Sequence, residues 1–256
     1  IYIRGEYFNE GQKLQDAISE ALALDPASPD ALLARADFHE KAGRFGQALK
    51  DLDILVEKLP AISQLRQRRG VTRFFHGEMK GAIADFDAYL EKNPAREPHH
   101  WQRGLAYYYA GEFEKGIKQF EIHQDVNSND VENAVWHFLC VNRVKGLAEA
   151  RKSLIDIKGD ARVPMAEVQK LFAGELGPED VLQAGSSAGY SYRENSAAFF
   201  LEMLANVVLW NKDRAAALRT LNLGETQVAG AGLAHLARLT QLRALNLGNN
   251  RQITDA

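Results

Sequence analysis

The residues with the chemistry to act on a substrate are few and scattered. Gly185-Ser186-Ser187-Ala188-Gly189 has the Gly-x-Ser-x-Gly form of a nucleophile elbow. Such a serine needs a strained strand-to-helix turn, with a histidine and an acid brought close. Here the preceding EDVLQA reads as helix, and GSSAGYSY, 185–192, reads as a small, polar, flexible loop. Of the histidines His39, His76, His99, His100, His123, His137 and His235, none forms a His-x-x-x-His pair. Adjacent His99 and His100 point to different sides of a helix. His137 and Cys140 can share a helix face, but two ligands do not complete a zinc site. Cys140, the only cysteine, reads in WHFLC as a small buried apolar residue and excludes an internal disulfide. There is no Gly-rich phosphate cradle between a strand and a helix. The sequence thus implies no catalytic, cofactor or metal site and no enzyme activity of its own.

Charge excludes two further classes. Arg66, Arg68, Arg69 and Arg73 crowd into RQRRGVTR, but 31 Lys plus Arg stand against 34 Asp plus Glu, so no basic field surrounds them. Nucleic acid is therefore not an expected partner. The longest apolar stretch, Phe199 to Trp210, contains Glu202 and Asn206 and falls short of the ~20 residues that span a bilayer.

What the sequence does specify is a period. Ala36, Gly70 and Gly104 are spaced by 34, as are Gly43, Gly77 and Gly111, then Ala48, Ala82 and Gly116, then Leu52, Phe86 and Phe120. Pro60 and Pro94 keep the same step, with Ser128 in the third unit. Small residues let two helices approach, glycine ends the first helix, and proline stops the second. Arg4, Arg35, Arg69 and Arg103 share one place in successive units, and Glu20, Asp51, Asp85 and Gln119 follow each by 16 residues. Three of these are Arg–acid pairs able to bridge the helices of one hairpin at a modest, surface-like 0 to ~1 kcal/mol, and Arg103 is expected to reach Glu121 instead.

This pattern resembles the tetratricopeptide repeat. The resemblance implies a mainly α fold, an α–α superhelical solenoid, over 1–157: a degenerate repeat at 1–28, full repeats at 29–62, 63–96 and 97–130, and a degenerate fourth at 131–157. Residues 158–217 read as a helical extension, with Pro164 and Pro178 near helix starts. From 218 the period changes. Leu218, Leu221 and Leu223 recur as Leu242, Leu245 and Leu247, 24 residues on. The segment 218–256 resembles the start of a leucine-rich repeat, an α/β solenoid, truncated at Ala256. The first residue, Ile1, and this last unit both read as cut ends of a longer chain, which leaves the compartment open, with cytoplasm ahead of periplasm.

In tetratricopeptide proteins the first helices of successive repeats line a concave groove for peptides, so the resemblance implies a protein or peptide partner. The groove places carried over are Leu33, Asp37 and Lys41, with Asp30 and Glu40; Gln67, Val71, Phe74 and Phe75, with Gln64; and Trp101, Leu105, Tyr108 and Tyr109, with Pro98. A fourth unit would add Glu132, Val135, Leu139, Asn142 and Arg143. Steps of four and three put the fifth, ninth and twelfth places on one helical stripe, aromatic in the second and third repeats. The lysine–arginine–asparagine clamp with which some family members hold a terminal carboxylate is absent, because its places hold Asp37 and Val71. Such a chain fits a non-catalytic scaffold, the recruiting or regulatory arm of a larger kinase or hydrolase, or a periplasmic lipoprotein adaptor. Mixed repeat chains of this kind resemble large bacterial, planctomycete-like proteins.

Overall fold

The computed structural model describes residues 2–177, 180, 181, 183 and 184 and the strand positions 220–222 and 244–246, with side chains described from residue 11 onward. The Gly-x-Ser-x-Gly stretch, the segment from Asn195 to Trp210 and most of 218–256 lie outside them. The chain falls into two units, residues 1–126 and 127–256, each considered by itself.

Unit one is a row of helical hairpins. α1 (Tyr2–Leu24) precedes α2 (Pro29–Lys41) with α3 (Phe45–Lys58), α4 (Ser63–His76) with α5 (Met79–Lys92), and α6 (Trp101–Ala110) with α7 (Phe113–His123). Gly43, Gly77 and Gly111 end the first helices at φ of 69°, 90° and 80°. In each turn the N–H after the glycine reaches back over a full turn: Arg44 to His39 O, Glu78 to Arg73 O and Glu112 to Tyr107 O, all at 2.8 Å. These are Schellman closures, which satisfy the last carbonyls of a helix. Two departures from the sequence expectation are local. α1 runs unbroken for 23 residues where most of a hairpin was expected. Pro94 and Pro98 hold Pro94–His99 in a 3-10 helix, so α6 starts only at Trp101 and Pro98 is not on a first-helix face.

Size complementarity explains the small-residue period. A Cβ placed on Gly70 would stand 2.6 Å from the Phe86 ring, and one on Gly104 2.7 Å from the Phe120 ring. In the first repeat the corresponding residues are Ala36 and Leu52, both fully buried in the core with Ile18, Leu22, Leu32 and Leu55. A smaller partner leaves room for the methyl. Gly70 in a helix interior costs roughly 1 kcal/mol of propensity, which burial of the Phe86 ring offsets.

Arginine fastens each hairpin internally and, in the second and third, to its predecessor. Arg35 grips Asp51 with two bonds of 2.9 and 2.6 Å, and Arg69 grips Asp85 at 2.8 and 2.6 Å. The sequence expectation of a surface-like pair is corrected here: the Asp51 and Asp85 side chains are only 2% and 3% exposed. A buried carboxylate that loses its partner typically costs about 3–5 kcal/mol. Arg69 also bonds Asp53 of the preceding hairpin at 2.9 Å, and Arg103 bonds Asp87 in the same way at 2.9 Å. Arg66 and Arg73 of the basic cluster also turn to Asp85, Arg73 at 2.8 Å and Arg66 at 3.9 Å.

The third repeat solves the same problem differently. Gln119 accepts from Arg103 at 2.8 Å and donates to the Glu97 carbonyl at 2.9 Å. A carboxylate could not donate that second bond. The partner expected for Arg103 in the absence of an acid was Glu121; its guanidinium bonds the carboxylates of Asp87 at 2.9 Å and Glu97 at 2.5 Å. His100, at the start of α6, accepts the Arg103 N–H on Nδ1 at 3.2 Å, so its Nε2 carries the proton and donates to Gln67 at 2.6 Å. That bond ties the second repeat to the third. Burial against Phe86 and Tyr89 holds the His100 imidazole neutral down to about 4.

In unit two, α8 (Val131–Lys145) is buried from Asn133 through Asn142, the pattern of a core helix. α9 (Leu147–Lys152) and α10 (Met165–Ala173) pack on it, with Phe172 edge-on to Phe138 at 5.1 Å. Arg162 gathers Asp160, Asp130 and Glu132 at 2.7 to 3.2 Å, and Asp160 accepts the Val131 N–H at the start of α8. β1 (Thr220–Asn222) pairs in parallel with β2 (Ala244–Asn246), Leu221 opposite Leu245.

Two outcomes follow for unit one. Gly70→Ala should destabilise the protein by about 1–3 kcal/mol, and adding Phe86→Leu, which copies the Ala36/Leu52 pairing, should recover most of it; urea unfolding of the two single variants and the double reads the coupling. His100 has a folded pKa below its ordinary 6.5, so its contribution is complete above that value and is lost as the pH falls through about 4. Its size is on the order of 3 kcal/mol. Denaturation midpoints of wild type and His100→Asn, which can still cap α6, should therefore lie furthest apart in slope between pH 6.5 and 4.

Candidate functional site

The first helices α2, α4 and α6 carry the residues in question, and the structure sorts them into three groups. Leu33 is half-buried against the first core cluster, and Val71 and Phe74 lean on the next, beside Ile83, Phe86 and Tyr107. Tyr108 is buried, 7% exposed, and faces Phe113 at 5.6 Å. These residues hold the repeats together on one side and can show at most an edge on the other.

A second group is already engaged across the repeat boundary. Asp37 and Glu40 of α2 both bond Arg68 of α4, Glu40 at 2.9 Å, and Thr72 donates to the other Glu40 oxygen. Gln67 is held by His100. Sequence reasoning placed Arg68 in the basic cluster and did not assign it or Thr72 to the groove face. Their signal was present, since they lie one and five places after Gln67 and 31 and 32 residues from Asp37 and Glu40, close to one repeat. Within the basic cluster, Arg66, Arg68, Arg69 and Arg73 each lie against a carboxylate.

The third group offers surface. Phe75 is 62% exposed and Trp101 47%, with Lys41 exposed and Leu105 and Tyr109 half-buried. An aromatic ladder runs along the turn edge of the hairpins: Phe45 stacks on Phe75 at 5.4 Å, Phe75 meets Phe74 at 5.6 Å, Phe74 meets Tyr109 at 6.1 Å, and Tyr109 meets Tyr108 at 5.4 Å. Phe45 and Phe113, the first residues of α3 and α7, were missed by sequence reasoning; they stand two periods apart, with Met79 between them. Trp101 is not part of the ladder. It opens α6, eight residues and roughly 12 Å along the axis from Tyr109.

In the fourth unit Val135 is fully buried and Leu139 and Asn142 are 2% and 4% exposed, contrary to their reading as groove places, while Glu132 is half-buried and Arg143 exposed. Burial pushes the Cys140 thiol up to about 12, which keeps it protonated and inert, as its packing role predicts. Among the described residues no group of three or more metal-ligating side chains occurs, and no helix is long and apolar enough to cross a membrane.

No family model and no curated protein matches the chain. Solved structures do. A double mutant of MamA RS-1 aligns at 17% identity and a TM-score of 0.50, covering 58% of this chain and 84% of that one. MamA residues 41 to the end from Desulfovibrio magneticus RS-1 align at 18% and 0.49, over 58% and 89%. YrrB, described as a TPR protein with an unusual peptide-binding site, aligns at 16% and 0.46, over 77% and 93%. At 17% identity the first likeness concerns architecture alone, and with the period and the hairpins it gives unit one a tetratricopeptide fold.

Proposed function

We propose that this chain is a non-catalytic interaction scaffold that binds a peptide or protein segment on the concave face formed by α2, α4 and α6. The observation that carries this reading is the pair of large apolar side chains left in solvent, Phe75 and Trp101, beside half-buried Val71 and Leu105 on the same helices. Exposed Phe and Trp flanked by further apolar surface are the anchors that dominate binding energy at interfaces. Phe74 backs Phe75, with Tyr109 behind it, whereas Tyr108 and Gln67 serve the scaffold. Leu33, Asp37 and Lys41 extend the face into the first repeat.

For the C-terminal part we read the start of a leucine-rich repeat. The parallel pairing of β1 with β2 at a 24-residue offset supports it, because that fold stacks one short strand per repeat in parallel register.

Phe75→Ala/Trp101→Ala should keep the helical content and cost about 1–2 kcal/mol in urea unfolding, since both side chains are partly in solvent and the loss is mainly the Phe75 ring contacts with Phe45 and Phe74. It should weaken capture of a bound segment about tenfold or more, measured by biolayer interferometry. Undiminished capture would sink the concave-face reading.

A further inference from the structure

The charges on the concave face are not evenly spread. At its groove-facing places the first repeat carries Asp30, Asp37 and Glu40 against Lys41, with Arg68 entering from α4. Three carboxylates against two cations leave one negative charge in excess. One guanidinium therefore serves two carboxylates: Arg68 is 27% exposed, Glu40 25%, and Asp37 53%. Beyond Arg68 the face turns apolar. Val71 and Phe75 lie three and seven residues after it on one stripe of α4, and Trp101 and Leu105 share a stripe of α6. None of the four carries charge, and the remaining arginines of α4 turn to Asp53 and Asp85 of the neighbouring second helices.

We infer that the occupant of this face is an amphipathic segment that places aliphatic or aromatic side chains along Val71 and Phe75 and a lysine or arginine against Asp37. This deepens the peptide-binding reading above and rests on it. Two physical points select the sign. An acidic segment meets the excess carboxylate and can engage Arg68 only by breaking its bonds to Asp37 and Glu40. A cationic residue takes the half-exposed Asp37 while Arg68 keeps Glu40 and Thr72 stays bonded to it. The axial rise of about 10 Å between Arg68 and Phe75 sets the spacing: the cation and the apolar anchor lie about three residues apart in an extended segment, or about two turns apart in a helical one.

Random dodecapeptides displayed on phage and selected on the full chain test this, with Phe75→Ala and Asp37→Asn as parallel baits. The expected result is enrichment of peptides with net positive charge and an apolar residue at the stated spacing. Asp37→Asn should remove the charge bias while retaining the apolar one, and anisotropy titration of an enriched peptide should show up to about a fivefold loss on Asp37→Asn that fades at high salt. Enriched peptides that are neutral or acidic, or a charge bias that survives Asp37→Asn, would overturn the inference and leave the groove reading standing. A selection equally productive on Phe75→Ala removes the groove reading itself. Circular dichroism of both variants, whose altered side chains are solvent-exposed, separates a lost contact from a lost fold.

Discussion

A guanidinium lodged between helical hairpins is the constraint around which unit one is arranged. Arg69 holds a carboxylate of its own second helix and one of the preceding hairpin, and so fixes how two hairpins approach and how successive hairpins follow one another. The two bonds differ in kind. Asp85 is buried, so its pairing is obligatory once the helices close, whereas Asp53 is half in solvent and its contribution is screened by salt. The hairpin interior is thus closed by a buried pair, and the junctions add to the screened Asp53 bond the Arg68–Glu40 and His100–Gln67 contacts.

Close approach of the helices is what makes the arginine reach possible. Gly70 and Gly104 bring the first helices against Phe86 and Phe120, and the aromatic rings fill the space that the missing side chains leave. Where the first repeat has Ala36, it also has the smaller Leu52. The sequence varies each position, but the sum of the two is preserved, as expected of an interior packed near crystal density.

Much of this was legible from spacing. The period of 34, the glycine stops and the Arg-to-acid offset of 16 all describe local geometry that repeats, and repetition raises weak signals above chance. What escaped was whatever one repeat does differently or two repeats do jointly. The 3-10 turn at Pro94–His99 depends on two prolines in one loop, and the Asp37–Arg68–Glu40 arrangement joins side chains from different hairpins at a register no single helix reveals. The assignment of the candidate face to the first helices came from the family resemblance and not from any one side chain. Exposure was not readable: Tyr108 and Phe75 occupy adjacent kinds of place and have the same character in sequence, yet one is packed beneath Phe113 and the other stands in solvent.

Gln119 gives the third hairpin an individuality with a practical side. Its amide serves Arg103 and the Glu97 carbonyl at once, which ties the identity of one side chain on α7 to the shape of the loop before α6. The two features can only be exchanged together. An engineer who grafts a consensus second helix into this position, aspartate included, would leave the Glu97 carbonyl to the His100 N–H and set a carboxylate against it; one who straightens the loop would take that acceptor from the glutamine amide. The smallest transplantable module here is not the hairpin as drawn between glycine and proline, but the hairpin together with the stretch of chain that leads into it.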